Sequence, residues 1–240
     1  MSWKFLPGSL LLFSAVHAAT LVHSYSFLNT LNDDLGGPSL VSYGGTLDSS
    51  GYTFGPDQGL SLTNAFVDTT DYSIEIHFMF SSFPGTNGFD KILDFTNLQG
   101  LAGIDPGLYA SNQHLIYYLG NTSSAAVFMA GQFIDVVLTH DSSGNVVAYV
   151  NGSPVLGFLD NGTTDSAVLT TPTTPLWFFV DDYHSLQTEA APGTVDAIRI
   201  WDGALTASEV AALSGPEPFS WVLVALGLAG VAVRRCRRRP

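Results

Sequence analysis

Glu75 and His77 stand two residues apart in the run Tyr72-Ser-Ile-Glu-Ile-His-Phe-Met-Phe80, an acid beside a base on one face of a strand. Such a pair could pass a proton to or from a bound substrate. Alternation with Ile74, Ile76 and Phe78 places both on the solvent side instead, and that is the expectation. A retaining glycosidase needs two carboxyls ~5–5.5 Å apart, and residues i and i+2 of a strand lie roughly 6.6 Å apart on one face. No two acids of this chain have that spacing. Asp90 and Asp94 share a strand face, but their backbones are ~13 Å apart. A pair drawn from different strands is the arrangement left open. The chain also lacks a Gly-x-Ser-x-Gly elbow, a His-Glu-x-x-His helix and a glycine-rich loop between strand and helix. It is therefore expected not to be an enzyme and to have no catalytic residue, with a divergent glycosidase as the alternative.

Charge narrows the partners. The 240 residues carry 8 Lys and Arg against 21 Asp and Glu. Between residues 20 and 215 only Lys91 and Arg199 face twenty acids, a net of −18. A body this acidic repels a phosphate backbone, which excludes nucleic acid as a partner. The single cysteine, Cys236, lies among the arginines of the tail, so the body holds neither a disulfide nor a cysteine-ligated zinc. Self-repulsion on this scale favours a hard cation held by 6–8 oxygens, as calcium is. Asp33, Asp34 and Asp196 could converge from the two ends of the body, and Asp181-Asp182 forms another acidic stretch. Asp160-Asn-Gly-Thr-Thr-Asp165 is a third, and each loop by itself also reads as an Asx turn. The candidate calcium ligands are Asp33, Asp34, Asp181 and Asp196. Trp177, Tyr183 and His184 mix aromatic rings with polar neighbours, as sugar-binding faces do, and the last two fall in an expected loop. Trp201 and Phe179 are assigned to the core.

Positioning falls to strands. Period-two patterning marks 72–80 and 133–140, with Asp141-Ser-Ser-Gly-Asn145 as a turn and 146–150 as the return strand. Asn151-Gly152 supplies the two positive-φ residues of a tight hairpin into 154–158. Shorter strands are expected at 59–63, 91–95, 114–119, 125–129, 176–180 and 194–201. Thr206-Ala-Ser-Glu209 is a capping box for one helical stretch, Val210 to Leu213. Many strands with one short terminal helix give an all-β, two-sheet antiparallel sandwich.

Gly131-Gln-Phe-Ile-Asp-Val-Val-Leu-Thr-His-Asp141 with Val147-Ala-Tyr-Val-Asn-Gly152 resembles the central hairpin of the laminin-G-like, concanavalin A-like domains. The stretch 193–210 resembles their closing strand and helix, and Ser24-Tyr-Ser-Phe27 with Asn32-Asp33-Asp34 their opening strand. Phe133 stands where that family usually has tryptophan. The resemblance implies a jelly-roll topology and calcium at the sandwich rim. It further implies a non-catalytic adhesion or carbohydrate-binding module that meets polysaccharide or a surface protein. A structural envelope or biofilm matrix protein without a discrete ligand is the alternative.

Both ends read as addresses. Lys4, an apolar stretch to Val16 and the small residues Ala18 and Ala19 form a secretory signal over 1–18, cleaved after Ala18 or Ala19. The sandwich occupies 20–215. The segment 216–240 then runs Pro216-Glu217-Pro218, an apolar stretch 219–233 and the cluster Arg234, Arg235, Arg237, Arg238 and Arg239. That order resembles the PEP-CTERM sorting signal of Gram-negative bacteria, which implies an exosortase-like membrane enzyme as processing partner. The apolar stretch is expected to be a hydrophobic helix giving transient or permanent membrane contact. The expected location is the outer cell surface or beyond.

Overall fold

The computed structural model describes residues 18–85, 88–100, 105–118, 121–162 and 166–214. The expected signal segment before Ala18, the 216–240 segment and Asp165 lie outside the described residues. Among the described residues, no helix is long and apolar enough to cross a membrane.

Among the described residues, fifteen strands build two antiparallel sheets. In chain order they are β1 (Thr20–Tyr25), β2 (Val41–Tyr43), β3 (Thr46–Asp48), β4 (Gly51–Phe54), β5 (Gly59–Leu62), β6 (Tyr72–Phe80), β7 (Phe89–Asp94) and β8 (Gly107–Ser111). Then come β9 (His114–Tyr117), β10 (Asn121–Thr122), β11 (Ile134–His140), β12 (Asn145–Val150), β13 (Ser153–Leu159), β14 (Leu176–Phe178) and β15 (Gly193–Asp202). The first sheet runs β13-β12-β11-β6-β15-β4-β3, with β1 also on β15, and the second runs β10-β9-β8-β7-β14-β5-β2. The expected all-β sandwich is what forms.

The two sheets bury a common core because one side of each strand is apolar. Tyr72, Ile74, Ile76, Phe78 and Phe80 of β6 all point inward, as their alternation requires. Phe54 stacks on Phe179 with ring centres 4.3 Å apart, joining the sheets. Asn151 and Gly152 take φ of +48° and +77°, the hairpin turn foreseen from their identities. The helix α1 (Ala207–Leu213) starts at Thr206, whose hydroxyl accepts from the Glu209 amide while Glu209 accepts from the Thr206 amide.

One local expectation changes, and one strand departs from regular pairing. The segment 125–129 is not a strand: the Val127 and Phe128 amides both donate to the Gln113 carbonyl, and Phe128 turns into the core. In β15 the pairing slips between Val195 and Ala197, leaving Asp196 as an extra, bulged residue. Val195 consequently faces the core with Ile198 and Ile200, while Arg199 and Trp201 point outward. Trp201 is nevertheless buried, because α1 lies over it with Val210 and Leu205 in a second, smaller apolar cluster. Ala19 packs against that cluster, and Ala18 is exposed. That cover matters for what lies beside it.

Candidate functional site

On the outer face of the first sheet, next to the end of α1, is a pocket of about 560 Å³. Its floor comes from three neighbouring strands. Strand β6 supplies Glu75 and His77, β11 supplies Asp135, and β15 supplies Asp196 and Arg199. Ser24 and Ser26 form one wall, and Leu213 and Ser214 at the helix end form another.

Glu75 is not the solvent-facing residue its alternation suggests, since only 3% of it is exposed. The Arg199 Nη1 donates to Glu75 Oε2 at 2.8 Å, and Asp135 lies one diagonal step away across β11 and β6. Burial, then the Asp135 charge, pushes the Glu75 carboxyl up, and burial likewise pushes Asp135 up. The two carboxyls are close enough to hydrogen-bond when one is protonated. Asp135 Oδ2 accepts from the Ser214 hydroxyl at 3.1 Å, but its buried Oδ1 meets no protein donor. A shared proton is one way to satisfy it. Carboxyls this close lack the ~5–5.5 Å or 6.5–9.5 Å separation of a glycosidase pair, so they offer one held acid.

His77 Nδ1 lies 2.6 Å from Asp196 Oδ1, and this hydrogen bond raises the His77 pKa. The bulge puts Asp196 within that reach, which a regular strand would not. Phe133 stacks on the His77 ring at 5.1 Å, holding it at the pocket edge.

A second charged cluster lies under the outer face of the other sheet. Lys91 of β7 is fully buried, its Nζ 2.6 Å from Asp105, 3.4 Å from Asp94 and 3.8 Å from Asp181. It also sits 4.4 Å above the Tyr109 ring. Burial opposes its charge, yet the three carboxylates outweigh that and raise its pKa. Asp105, Asp181 and Asp182 each bring an oxygen within 4.8 Å of the others, the one such group among the described residues. Asp182 is pushed up to about 7 by burial and by its hydrogen bond to Asp105. Glu189 reaches about 7 through burial and the nearby Asp181 charge.

The residues singled out from sequence distribute over both regions. Asp33 is saturated by donors: the Ser24, Leu35 and Gly37 amides and the His23 ring at 2.7 Å. Asp34 accepts from the Ser24 and Ser26 hydroxyls, so it borders the pocket that holds Asp196. Asp181 belongs to the buried cluster. Trp177 donates from Nε1 to Asn97 at 3.0 Å and meets Tyr43 edge-on at 5.6 Å. Tyr183 and His184 are exposed, and the Tyr183 amide donates to the Leu98 carbonyl, so the 95–100 loop links them to Trp177. Glu75 with Asp135, and Lys91 with Asp105, are pairings that no local spacing announces.

No curated protein sequence matches the chain. Among solved structures it is similar to domain 4 of AbnA, a GH43 extracellular arabinanase from Geobacillus stearothermophilus, in complex with arabinotriose. The identity is 19% and the TM-score 0.58, over 83% of this chain and 100% of that one. It is similar also to a Trypanosoma rangeli sialidase in complex with the inhibitor DANA, at 18% identity and TM-score 0.60, over 84% of this chain. This chain spans only 33% of that sialidase. A third likeness is to the binding domain of botulinum neurotoxin DC in complex with rat synaptotagmin II, at 13% identity and TM-score 0.56, over 81% and 51% of the two chains. These neighbours correct the expectation that the chain is not an enzyme: an arabinanase domain and sialidases make its fold glycosidase-like. The family model for the concanavalin A-like lectin/glucanases superfamily, Laminin_G_3, matches residues 54–211. With two sheets, one capped helix and a match over most of its length, the chain belongs to that superfamily.

Proposed function

We propose that this protein is an exported carbohydrate-recognising domain and that the saccharide binds in the pocket beside α1. The observation that carries this reading is the pocket's lining. Planar polar side chains, Glu75, Arg199, Asp135 and His77, are fixed by bonds to one another or to their neighbours, with a stacked ring pair at the edge. Sugar hydroxyls are recognised by such pre-oriented donors and acceptors. Arabinotriose bound to domain 4 of AbnA supports the choice of ligand class. The test is a glycan and exopolysaccharide binding screen of wild type and Arg199→Ala. Saturable binding that the variant loses supports the pocket, and equal binding by both refutes it.

Hydrolysis of the bound glycan is a second reading, favoured by the glycosidase-like fold; the Glu75/Asp135 pair would supply its one held acid, and the second carboxyl would have to come from elsewhere in the pocket, where Asp196 stands. Release of reducing ends that vanishes in both Glu75→Gln and Asp135→Asn would establish it.

Calcium is the proposed cofactor, held by Asp105, Asp181 and Asp182. Hard oxygens suit it, and Asp181 Oδ1 makes no hydrogen bond; the Lys91 ammonium, 3.8 Å from it and 2.6 Å from Asp105, would have to move aside for the ion. Its ligands must be ionised, so affinity would climb as the pH rises through about 7, where Asp182 titrates. An identical melting curve in calcium and in chelator would remove it. Export through the 1–18 signal and sorting of 216–240 by an exosortase-like enzyme complete the proposal, with the domain at the outer cell surface. The mass of the native C-terminus tests this: loss of Arg234 to Arg239 is expected.

A further inference from the structure

The pocket beside α1 carries a statement about its ligand's chemistry, which rests on the carbohydrate reading above. Asp135 is 9% exposed, and its Oδ1 is buried without a donor from the protein. Leaving a buried charged acceptor unmet is costly, so a ligand that brings a charged donor to this point gains most. The facing charges say which sign is wanted. Glu75 and His77 come from β6, Asp135 from β11, and Asp196 and Arg199 from β15; β1 and the end of α1 add only serines, Tyr25 and Leu213. Arg199 is held on Glu75 Oε2 and His77 on Asp196, so three carboxyls face two cations, and Asp135, though both cations act on it, is the carboxyl that neither of them hydrogen-bonds.

We propose that the pocket prefers saccharides bearing a free amino group, whose ammonium donates to the Asp135 carboxyl beside Glu75. An N-acetylated sugar presents a neutral amide there, and a carboxylated sugar a repelled anion. In this proposal the Glu75 and Asp135 carboxyls share one proton in the free protein, the ammonium takes its place, and that proton leaves to solvent. Charge in the pocket is then unchanged by binding, at one cation in and one proton out.

The experiment is calorimetric titration of the full chain, in a non-ionic detergent at pH 6. The ligands are a glucosamine oligosaccharide, its N-acetylated form, a neutral glucan oligosaccharide and a simple alkyl diamine. Buffers of different ionisation enthalpy report proton release. Expected are binding of the amino oligosaccharide at least about tenfold tighter than its N-acetylated form, and release of about one proton. Asp135→Asn should remove both the preference and the proton release, while its unchanged melting curve shows that it folds. Equal affinity for the amino and N-acetylated forms, or no proton release, overturns the amino-sugar inference but leaves the carbohydrate reading standing. Binding of the diamine as tight as that of the amino sugar overturns it too, since the ring would then contribute nothing. Failure of every saccharide overturns the carbohydrate reading itself.

Discussion

The two charged regions share a motif and differ in access. Each sets two carboxyls close enough to hydrogen-bond, Glu75 with Asp135 and Asp105 with Asp182, beside one of the body's two cationic residues, Arg199 or Lys91. Around Lys91 the carboxyls already hold an internal cation. The ammonium is fully buried, the Tyr109 hydroxyl and the Ser185 hydroxyl donate to Asp105 and Asp181, and the Glu189 amide donates to Asp181 at 2.9 Å. Around Arg199 the cluster opens into a pocket, and the Arg199 side chain remains 40% exposed. The same chemistry thus serves two ends. Where carboxyls are enclosed around an internal cation they tie β7, β8 and the 181–189 loop together. Where one oxygen is left without a donor beside open volume, they can receive a ligand.

The sharpest way to break this contrast is to remove each cation. Lys91→Met leaves several buried carboxyls uncompensated and should cost about 3–5 kcal/mol in denaturant unfolding. Arg199→Ala should cost less, because the Arg199 side chain is 40% exposed and Glu75, already raised by burial, can take up a proton in its place. Similar costs for the two would erase the distinction.

Acidity should separate the regions next. Asp182 ionises near 3.8 in an unfolded chain and at about 7 when folded, so the folded state binds its proton more tightly. That contribution is fully present below about pH 4 and is lost as the pH rises through about 7. Unfolding measured from pH 4 to 8 should show a decline on the order of 4 kcal/mol from this group, which Asp182→Asn flattens. A profile identical in the variant would place the titration elsewhere.

Thr206→Ala should cost about 1 kcal/mol by removing the helix cap. Because α1 walls only the pocket, it should weaken saccharide binding while the Asp182-dependent pH profile stays in place. The smallest effect is expected at the aromatic edge of the second sheet. Tyr183→Ala alters an exposed ring and should change stability by less than about 0.5 kcal/mol. If it, or Trp177→Ala, abolished saccharide binding, the ligand site would move from the pocket to the Tyr43–Trp177 face.

Most of the scaffold was legible in the residues. The alternation of 72–80, the Asn151-Gly152 turn and the Thr206–Glu209 box each act within a few positions, and each formed where expected. The segment 125–129 misled because an apolar stretch can bury one ring, Phe128, without pairing as a strand. At the site, Glu75 and His77 stood out as types, but their alternation pointed to water. Burial of Glu75 depends on Arg199, Asp135 and the end of α1, all distant in the chain.

What the sequence alone determined, then, is local and compositional: strand periodicity, turn and cap chemistry, and a body of twenty acids with two bases. Only the tertiary structure decided which acids meet. Glu75 and Asp135 are joined by the register of β6 against β11, and Asp196 reaches His77 through a bulge with no signature of its own. Lys91 gathers Asp105 and Asp181 from separate loops. The physical reason is that alternation tells a side chain which face of its strand it takes, while its neighbours on that face are set by pairing between strands far apart in sequence.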